Sequence, residues 1–282
     1  MWLLLALTTA VFWAIGSVIV KKGLNDLPVR IVYVANALVY ASLWIVYLMI
    51  FGGFSWQPVA GILALSVGLG AIYTLTAFKK ADVSLVSSIG SIHPAVTAIL
   101  AVSFLKESLT WLQMALIGLV VVGAMIMGWP HSAKSFVRDK LGAWIWWGLG
   151  FGLLSGTINF ISKFGISLAG AVSYSLLSAF WQVVIGLTWL KKDRAFEEIK
   201  PMVTKKKGRV VVLGTVALNV GNMMFFTAMG LGKVSLVMPV ANLFVPLTII
   251  LAAWWLKEKM TKQQMLGAGV ILGSVILLSL IS

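Results

Sequence analysis

The sequence predicts an all-α integral membrane protein whose ten transmembrane helices form two inverted five-helix repeats. Three observations predict this fold class: a very apolar composition, charges confined to short gaps between long apolar stretches, and a second half that repeats the first. Of 282 residues, 60% are hydrophobic and 11% are charged, whereas a soluble domain carries about 25% charged residues. With a mean hydropathy of +1.01, a soluble globular protein is excluded.

The composition also excludes several kinds of chemistry. The chain has no cysteine, which rules out disulfides, thiol catalysis and thiolate metal ligands. Its two histidines are His93 and His131, and it has eight carboxylates, so it is a poor candidate for a metal site. We therefore predict neither a metal nor a cofactor.

Long apolar stretches alternate with short charged gaps along the whole chain. A helix needs about 20 residues to cross about 30 Å of hydrocarbon. Within lipid every backbone polar group must be paired internally, so apolar stretches of this length are predicted to be helices. The predicted spans are 2–20, 31–50, 59–78, 83–104, 111–128, 143–162, 170–190, 210–230, 234–256 and 263–281.

The distribution of basic residues predicts the orientation in the membrane. When alternate gaps are grouped, nineteen Lys and Arg residues fall on one side, and three, Lys106, Lys163 and Lys233, fall on the other. Cytoplasmic loops collect Lys and Arg, so the basic loops are predicted to be cytoplasmic and both termini to lie on the outer side. The net charge of +14 is then a topology signal, and no nucleic-acid partner is predicted.

The second half of the sequence repeats the first. Shifted by 151 residues, residues 83–125 match residues 234–276 at fifteen of forty-three positions, including the runs VSLV, LKE and QM. Each copy then holds five helices, and because five is odd the two copies cross the membrane in opposite directions. The predicted organisation is a first repeat over 1–130, a linker over 131–142 and a second repeat over 143–282. Inverted repeats of this kind are typical of transporters, whose binding site lies near the midplane.

Two segments resemble the helix 4–5 signature of the drug/metabolite transporter superfamily, in particular its EamA-type branch. They are HPAVTAILAVSFLKESLTWLQMALIGLVVVGAMI, which begins at His93, and VPLTIILAAWWLKEKMTKQQMLGAGVILGSVIL, which begins at Val245. WAIGSVIVKKGL at 13–24 resembles the start of the first of two EamA repeats. The resemblance covers essentially the whole chain and implies secondary transport of a small organic metabolite. It also implies that both termini are cytoplasmic. Here we follow the distribution of Lys and Arg, which predicts that both termini lie on the outer side.

The charges at membrane depth constrain the mechanism. No Asp, Glu, Lys or Arg lies in the middle of a predicted span, whereas proton-driven carriers usually keep a carboxylate there. The related small multidrug exporters carry a glutamate in their first helix, and VFWAIGSVIV here has none. Export of organic cations through such a carboxylate is therefore disfavoured, and facilitated diffusion, exchange or coupling through His93 stays open.

Uncharged polar and aromatic side chains at membrane depth are candidates for lining a solute cavity. Asn219, Asn222 and Phe226 are spaced three and four residues apart, on one helical face. His93 has an ordinary pKa of about 6.5, which lies in the physiological range. For every candidate the alternative is packing or a hydrogen bond between helices. The full set is Trp13, Ser17, Asn36, Tyr73, Thr76, His93, Asn159, Trp181, Gln182, Asn219, Asn222, Phe226 and Asn242.

Prolines and two glutamates form a second group, with predicted gating or structural roles. Pro94, Pro239 and Pro246 are each predicted to remove a backbone hydrogen bond inside a span and to bend it or act as a hinge. Pro94 precedes Glu107 by thirteen residues but Pro246 precedes Glu258 by twelve, a departure from the repeat. Each glutamate is predicted to pair with the amides of a helix start and a nearby lysine; the alternative is a gate that breaks and re-forms on opposite faces.

Together these features predict a secondary transporter that works by alternating access through a central cavity in the cytoplasmic membrane. Export of an amino acid or similar compact zwitterion is favoured, and a nucleoside, sugar or choline-like solute is the alternative. Phosphate esters are disfavoured because no buried Lys or Arg is predicted to bind them. An integral membrane enzyme is a remote alternative, since a lone histidine without a buried carboxylate provides no nucleophile–base pair. In the bilayer the chain is expected to be a monomer or a homodimer.

Overall fold

A computed structural model describes residues 1–24, 27–80, 86, 89–128, 143–200, 204, 206–256 and 260–281. The predicted linker over 131–142 and Glu258 lie outside the described residues. Of the part that is described, seven helical segments are long and apolar enough to cross a membrane. The helices are α1 (Trp2–Leu24), α2 (Val29–Phe51), α3 (Pro58–Lys80), α4 (His93–Leu105), α5 (Trp111–Gly128), α6 (Ala143–Lys192), α7 (Lys206–Leu231), α8 (Val234–Ala241), α9 (Phe244–Leu256) and α10 (Lys262–Leu280), with a 3₁₀ turn at Phe196–Ile199.

The predicted spans 143–162 and 170–190 both lie within α6, which folds back on itself at Gly170. Gly170 has φ 79° and ψ 160°, a conformation that glycine adopts without steric cost. The Tyr174 hydroxyl donates to Ser162 Oγ over 3.1 Å, although twelve residues of straight helix span about 18 Å. The two arms of α6 therefore run side by side. The expected loop over 163–169 is wrong, because these residues continue the helix and the reversal is confined to Gly170.

Another predicted span, 234–256, is divided into α8 and α9 by a turn at Asn242 and Leu243. Shifted by 151 residues, this turn coincides with the turn at Ser91 and Ile92 that precedes α4. The two repeats therefore interrupt a helix at the same position. The ten predicted spans do not match the described helices one for one. The turn at Gly170 joins two spans within α6, and the turns at 91–92 and 242–243 divide two others.

The interruptions explain the displaced proline. Pro94 and Pro246 lie in the first turns of α4 and α9, where helical N–H groups have no intrahelical partner in any case. The predicted loss of a hydrogen bond inside a helix is therefore not seen at these two prolines, since each lies just after an interruption; their role in bending or as a hinge stays a prediction. An offset of one position inside a first turn has no cost. Pro239 does lie inside α8, as predicted.

The helices α5 and α10 carry matching sequences and pack antiparallel. Gln113 Nε2, at the start of α5, donates to the carbonyl oxygen of Ile281, just after α10, over 3.3 Å. Near the other end, Gly123 and Gly267 lie so close that a Cβ on either would overlap the backbone of the other helix. Equivalent helices that run in opposite directions are the geometry expected of an inverted repeat.

The same capping box begins both of these helices. In α5, Thr110 N donates to Gln113 Oε1 at 2.9 Å and Gln113 N donates to Thr110 Oγ1 at 3.2 Å. In α10, Thr261 N donates to Gln264 Oε1 at 3.0 Å and Gln264 N donates to Thr261 Oγ1 at 3.2 Å. Each box satisfies two N–H groups that a helix start leaves unpaired, so the repeat preserves local hydrogen bonding as well as sequence.

Contacts between helices follow the same two-fold relation. In the repeat, α1 corresponds to the first arm of α6, and α3 corresponds to α7. Accordingly α1 packs along α7, and α3 packs along α6; α1 also contacts α9, and α6 contacts α4. The contact between α1 and α7 therefore corresponds to that between α6 and α3, and the contact between α1 and α9 corresponds to that between α6 and α4.

One end of the bundle, which we term the N-terminal end, contains Met1 and the connections between α2 and α3, α4 and α5, the two arms of α6, and α7 and α8. Gly232 packs against Trp2 there, and Lys233 Nζ donates to Ser108 Oγ over 2.9 Å. The three lysines of the sparsely charged set lie at this end: Lys106 and Lys233 in connections, and Lys163 in the first arm of α6.

The opposite end, which we term the basic end, contains the loop after α6. Arg30 Nη2 lies 2.6 Å from Glu198 Oε1 and its Nη1 lies 3.3 Å from Asp193 Oδ2. Lys79 Nζ donates to the carbonyl oxygen of Leu27 over 3.1 Å. These pairs are partly exposed, so each contributes only about 0–1 kcal/mol, and their main effect is to tie the basic loops to the helix ends.

The α5–α10 crossing gives a stability prediction. Gly267→Ala would place a Cβ against Gly123 O and the Met127 side chain, which overpacks the crossing and costs about 1–3 kcal/mol. Gly269→Ala is the matched control, because no atom lies within 4 Å of its Cβ position on the same helix. In a detergent melting experiment we expect a lower Tm for Gly267→Ala and an equal or higher Tm for Gly269→Ala. Equal Tm values for the two variants would contradict the close crossing.

Candidate functional site

Buried polar groups lie at both helix interruptions. Asn242 has no exposed surface, and neither Oδ1 nor Nδ2 of its amide has a hydrogen-bond partner among the described residues. His93, which begins α4 after the other interruption, is 4% exposed, and its Nδ1 has no partner in the same part of the chain. Leaving such a group unpaired costs about 1–3 kcal/mol. The unpaired polar groups at the two interruptions are therefore available to bind a solute.

A continuous chain of hydrogen bonds links five of the predicted site residues, and we term it the amide chain. Trp13 Nε1 donates to Asn222 Oδ1 over 2.9 Å, and Asn222 Nδ2 donates to Asn219 Oδ1 over 3.0 Å. Asn219 Nδ2 donates to Asn36 Oδ1 over 2.9 Å, and Asn36 Nδ2 donates to Gln182 Oε1 over 3.4 Å. The amide chain thus crosses from α1 through α7 and α2 to the second arm of α6, and it joins both repeats.

The amide chain has a defined polarity. Each of the three asparagines accepts a hydrogen bond through its amide oxygen from the previous residue and donates one through its nitrogen to the next, and Gln182 accepts the last one. Hydrogen bonds between membrane helices contribute about 0.6 kcal/mol on average, so breaking one link costs little. A solute with a donor and an acceptor can therefore replace a link without a large loss of free energy.

Aromatic packing brings the amide chain next to the interruption between α8 and α9. The Trp13 ring lies 5.0 Å from Phe225 and 5.6 Å from Phe244, measured between ring centroids. Phe244 begins α9, two residues after Asn242. Trp13 thus donates to Asn222 through its Nε1 and packs against the start of α9 through its ring, so the unpaired amide and the amide chain belong to one region.

Other predicted residues lie around this region. Asn159 Nδ2 donates to Met238 Sδ over 3.2 Å, which places it against α8. Phe226 is buried between Tyr40 and Tyr174, with ring centroids 6.5 and 6.1 Å away. These positions extend the candidate site along α6 and α7.

Two aromatic candidates are occupied by helix-pair contacts. Trp181 Nε1 donates to the carbonyl oxygen of Gly61 over 2.7 Å, and the Tyr73 hydroxyl donates to the carbonyl oxygen of Trp147 over 3.4 Å. Both residues join α3 to α6, and Tyr73 lies near the start of α6, away from the amide chain. Ser17 and Thr76 are partly buried on α1 and α3.

Thr97 is a residue of this region that the sequence reasoning missed. It is fully buried, and its hydroxyl donates to the carbonyl oxygens of His93 and Gly156 over 2.9 and 3.1 Å. The equivalent Thr248 donates to the carbonyl oxygen of Phe244 over 2.6 Å. The match of the two threonines in the repeat was the available signal, and each fixes the first turn after an interruption.

Glu107 binds the start of a helix in the opposite repeat. Its Oε1 accepts from Val234 N at 3.0 Å and its Oε2 accepts from Ser235 N at 3.1 Å, with a further bond from the Ser235 hydroxyl. The predicted pairing with helix-start amides is confirmed, and the helix is α8. Here the positive end of the helix dipole favours the carboxylate.

The predicted pairing of Glu107 with a nearby lysine stays a prediction, and the nearby ammonium groups donate their described hydrogen bonds to carbonyl oxygens. Lys163 Nζ, from the first arm of α6, donates to the carbonyl oxygens of Met229 and Gly232 over 2.5 and 2.8 Å. It thus caps the C-terminal end of α7, where the dipole favours a cation. A carboxylate from the connection between α4 and α5 and an ammonium group from α6 thus hold the connection between α7 and α8 in place.

A cavity of about 790 Å³ opens at this end of the bundle. Its lining includes the charged side chains of Glu107, Lys163 and Lys233 and the apolar side chains of Trp2, Phe104 and Leu236. The sequence reasoning missed Lys163 as a lining residue because it was assigned to a loop. Its position in the sparsely charged set of lysines was the only signal.

Comparison with known proteins finds a family that matches both halves of the chain, one similar protein sequence and one similar structure. Residues 1–129 and 142–280 match the EamA-like transporter family, one match in each half. An uncharacterized protein of Methanocaldococcus jannaschii is 30% identical over 129 residues, which are 44% of this chain and 94% of that protein. A protein of known crystal structure superposes with a TM-score of 0.82 over 99% of this chain and 96% of its own, at 12% identity. This last likeness shows the fold alone.

Two leucine substitutions are expected to change stability in opposite directions. Asn219→Leu removes the central link of the amide chain and leaves Asn36 Oδ1 and Asn222 Nδ2 unpaired, at a cost of about 1–3 kcal/mol. Asn242→Leu replaces an unpaired buried amide with an apolar group of similar size, which is neutral or stabilising. Melting curves in detergent should show a lower Tm for the first variant and an unchanged or higher Tm for the second. A lower Tm for Asn242→Leu would show that its amide is paired in the folded protein.

Proposed function

The chain belongs to the EamA-like transporter family and is a multi-pass membrane protein, and we propose that it is a secondary carrier that moves a small organic metabolite by alternating access. The solute binds in the centre of the bundle, between the two helix interruptions and the amide chain. The carrier resides in the cytoplasmic membrane, as a monomer or a homodimer, and works in the direction of export.

One observation carries this proposal: two interrupted helices at equivalent positions in the repeats, each with a buried polar group that lacks a partner in the described chain. Interrupted helices at the interface of two repeats form the binding sites of many secondary transporters. An orphaned amide such as that of Asn242 is retained against a free-energy cost, which a solute with matching polar groups would remove.

The proposed transport cycle follows from inversion of the repeats. The helices cross the membrane ten times if each arm of α6 counts as one crossing and α8 and α9 together count as one. Each repeat then has five crossings. The antiparallel packing of α5 and α10 supports opposite orientations of the halves. If the repeats exchange conformations, the central site opens first to one side of the membrane and then to the other.

The side chains near the site favour a compact zwitterion such as an amino acid. Asn219, Asn222 and Asn36 supply neutral donors and acceptors, and Trp13 and Phe226 supply apolar surface. A nucleoside, sugar or choline-like solute is the second candidate, which the same neutral groups also suit. No observation here favours an enzymatic reaction over transport.

Exchange of radiolabelled solute in proteoliposomes tests the proposal, after a thermal-shift screen of amino acids, nucleosides and small quaternary amines has selected the solute. We expect Asn242→Leu to reduce exchange at least about tenfold, because it removes a solute contact without destabilising the fold. A tenfold change corresponds to about 1.4 kcal/mol, close to the contribution of one charge-assisted hydrogen bond. Ser274→Ala is the control, since the buried Ser274 hydroxyl donates to Val270 O within α10, outside the candidate site.

Full exchange by Asn242→Leu would refute a central site at this interruption. Uptake that never saturates and shows no counterflow would instead indicate a pore and would reject alternating access. Exchange of nucleosides or choline-like solutes without any amino acid would keep the carrier and replace the favoured substrate.

Orientation is testable because the chain has no cysteine. Lys106→Cys at the N-terminal end and Lys191→Cys at the basic end both replace exposed side chains. In intact cells a membrane-impermeant maleimide should label the first variant, whereas the second should be labelled only after permeabilisation. The physical reason is retention of basic loops in the cytoplasm. Labelling of only the second variant in intact cells would reverse the assigned orientation, and labelling of both would contradict an odd number of crossings between them.

A further inference from the structure

The cavity at the N-terminal end contains both signs of charge within a partly buried setting. Glu107 and Lys163 both line it, and both are partly buried. Each has an identified structural role, since Glu107 caps α8 and Lys163 caps α7. Neither role uses the full hydrogen-bonding capacity of its side chain, so each side chain can form a further hydrogen bond to a ligand.

Counting donors and acceptors shows what each group has left. An ammonium group has three donors, and Lys163 Nζ uses two of them, on the carbonyl oxygens of Met229 and Gly232. A carboxylate has about four acceptor positions, and Glu107 uses three, for Val234 N, Ser235 N and the Ser235 hydroxyl. Among the described residues, one cationic donor of Lys163 and one anionic acceptor of Glu107 therefore remain on the wall of the same cavity. The more exposed Lys233 Nζ, which donates to the carbonyl oxygen and hydroxyl of Ser108, also keeps one donor there.

We propose that this cavity is a second solute site, at the outer mouth of the carrier, which binds the carboxylate of a zwitterion through Lys163 and its ammonium group through Glu107. This inference deepens the proposed function and rests on it, because it names the class of solute that enters the transport path. Charge-assisted hydrogen bonds of this kind are the stronger ones in proteins.

The apolar part of the cavity restricts the solute further. Trp2, Phe104 and Leu236 line it together with the charged pair, and its volume of about 790 Å³ lies within the range of about 300–1,000 Å³ typical of small-molecule sites. An α-amino acid with an apolar side chain fits this combination. A nucleoside or a sugar would leave both remaining charges unpaired.

Equilibrium binding to purified protein in nanodiscs tests the proposal with leucine and two analogues. Leucinamide lacks the carboxylate, and N-acetylleucine lacks the ammonium group. We expect leucine to bind at least about tenfold more tightly than either analogue, since each loses one charge-assisted hydrogen bond. If leucine does not bind, or binds no better than both analogues, the proposal is overturned without the use of any variant.

Variants of Lys163 separate solute binding from helix capping. Lys163→Gln retains N–H donors for the carbonyls of Met229 and Gly232 but has no charge. The affinity for leucine should therefore fall about tenfold, to that for leucinamide. The affinity for leucinamide should not change. Lys163→Arg should keep the preference for leucine. Lys106→Met is the matched control, because it removes one exposed positive charge from the same end outside the cavity.

Equal weakening of leucine and leucinamide in Lys163→Gln would show a capping role alone and would overturn the proposal. A similar loss of preference in Lys106→Met would assign the effect to the overall potential and would also overturn it. Asn242→Leu distinguishes this site from the central one, since it should lose exchange and keep the leucine binding that depends on Lys163. If it loses leucine binding, the outer site is rejected and the central carrier site stands. If the wild type binds leucine selectively yet exchanges no solute, the proposed function fails and the outer site stands.

Discussion

Every polar group buried in this bundle must find its partner inside the protein, because hydrocarbon offers none. Helical backbone meets this requirement along most of the chain, and side chains meet it where helices start, end or break. The twin capping boxes of α5 and α10 and the caps provided by Glu107 and Lys163 all answer the same demand. Against this background, Asn242 and His93 are two of the described residues with a buried polar atom that lacks a partner, and they lie at the two helix interruptions that define the candidate site.

The two repeats share a backbone plan and differ in side chains. Both interrupt a helix at equivalent positions, but Asn242 stands where the first repeat has Ser91, and Phe244 stands where it has His93. Likewise Asn219 and Asn222 of α7 occupy the positions of a glycine and an alanine in α3. The backbone symmetry fits the two ways of opening in the proposed cycle, while the side chains that form the candidate site are asymmetric.

Much of the fold could be predicted from the sequence, because hydrophobic length and the position of charges are local properties of the chain. The apolar spans, the internal repeat and the membership of the EamA-like family all followed from such features. The reversal at Gly170 could not be predicted, since a helix that continues to a single glycine and a helix that ends in a loop have similar composition.

The candidate site was predicted only as a set of separate residues. That Trp13, Asn222, Asn219 and Asn36 form one chain depends on the rotation of three helices about their axes, which sequence spacing does not specify. The partner of Glu107 was out of reach for a similar reason. Its spacing indicated a helix start, but only the fold brings the start of α8 from the other repeat to it.

Distances between spin labels on the two halves test alternating access most directly, and the cysteine-free chain permits the labelling. One pair, on Lys106 and Leu231, reports on the N-terminal end, and the other, on Lys80 and Lys192, reports on the basic end; all four positions are exposed. Addition of a transported solute is predicted to lengthen one distance and shorten the other. Two unchanged distances, or two that change in the same direction, would contradict a carrier whose inverted halves exchange conformations.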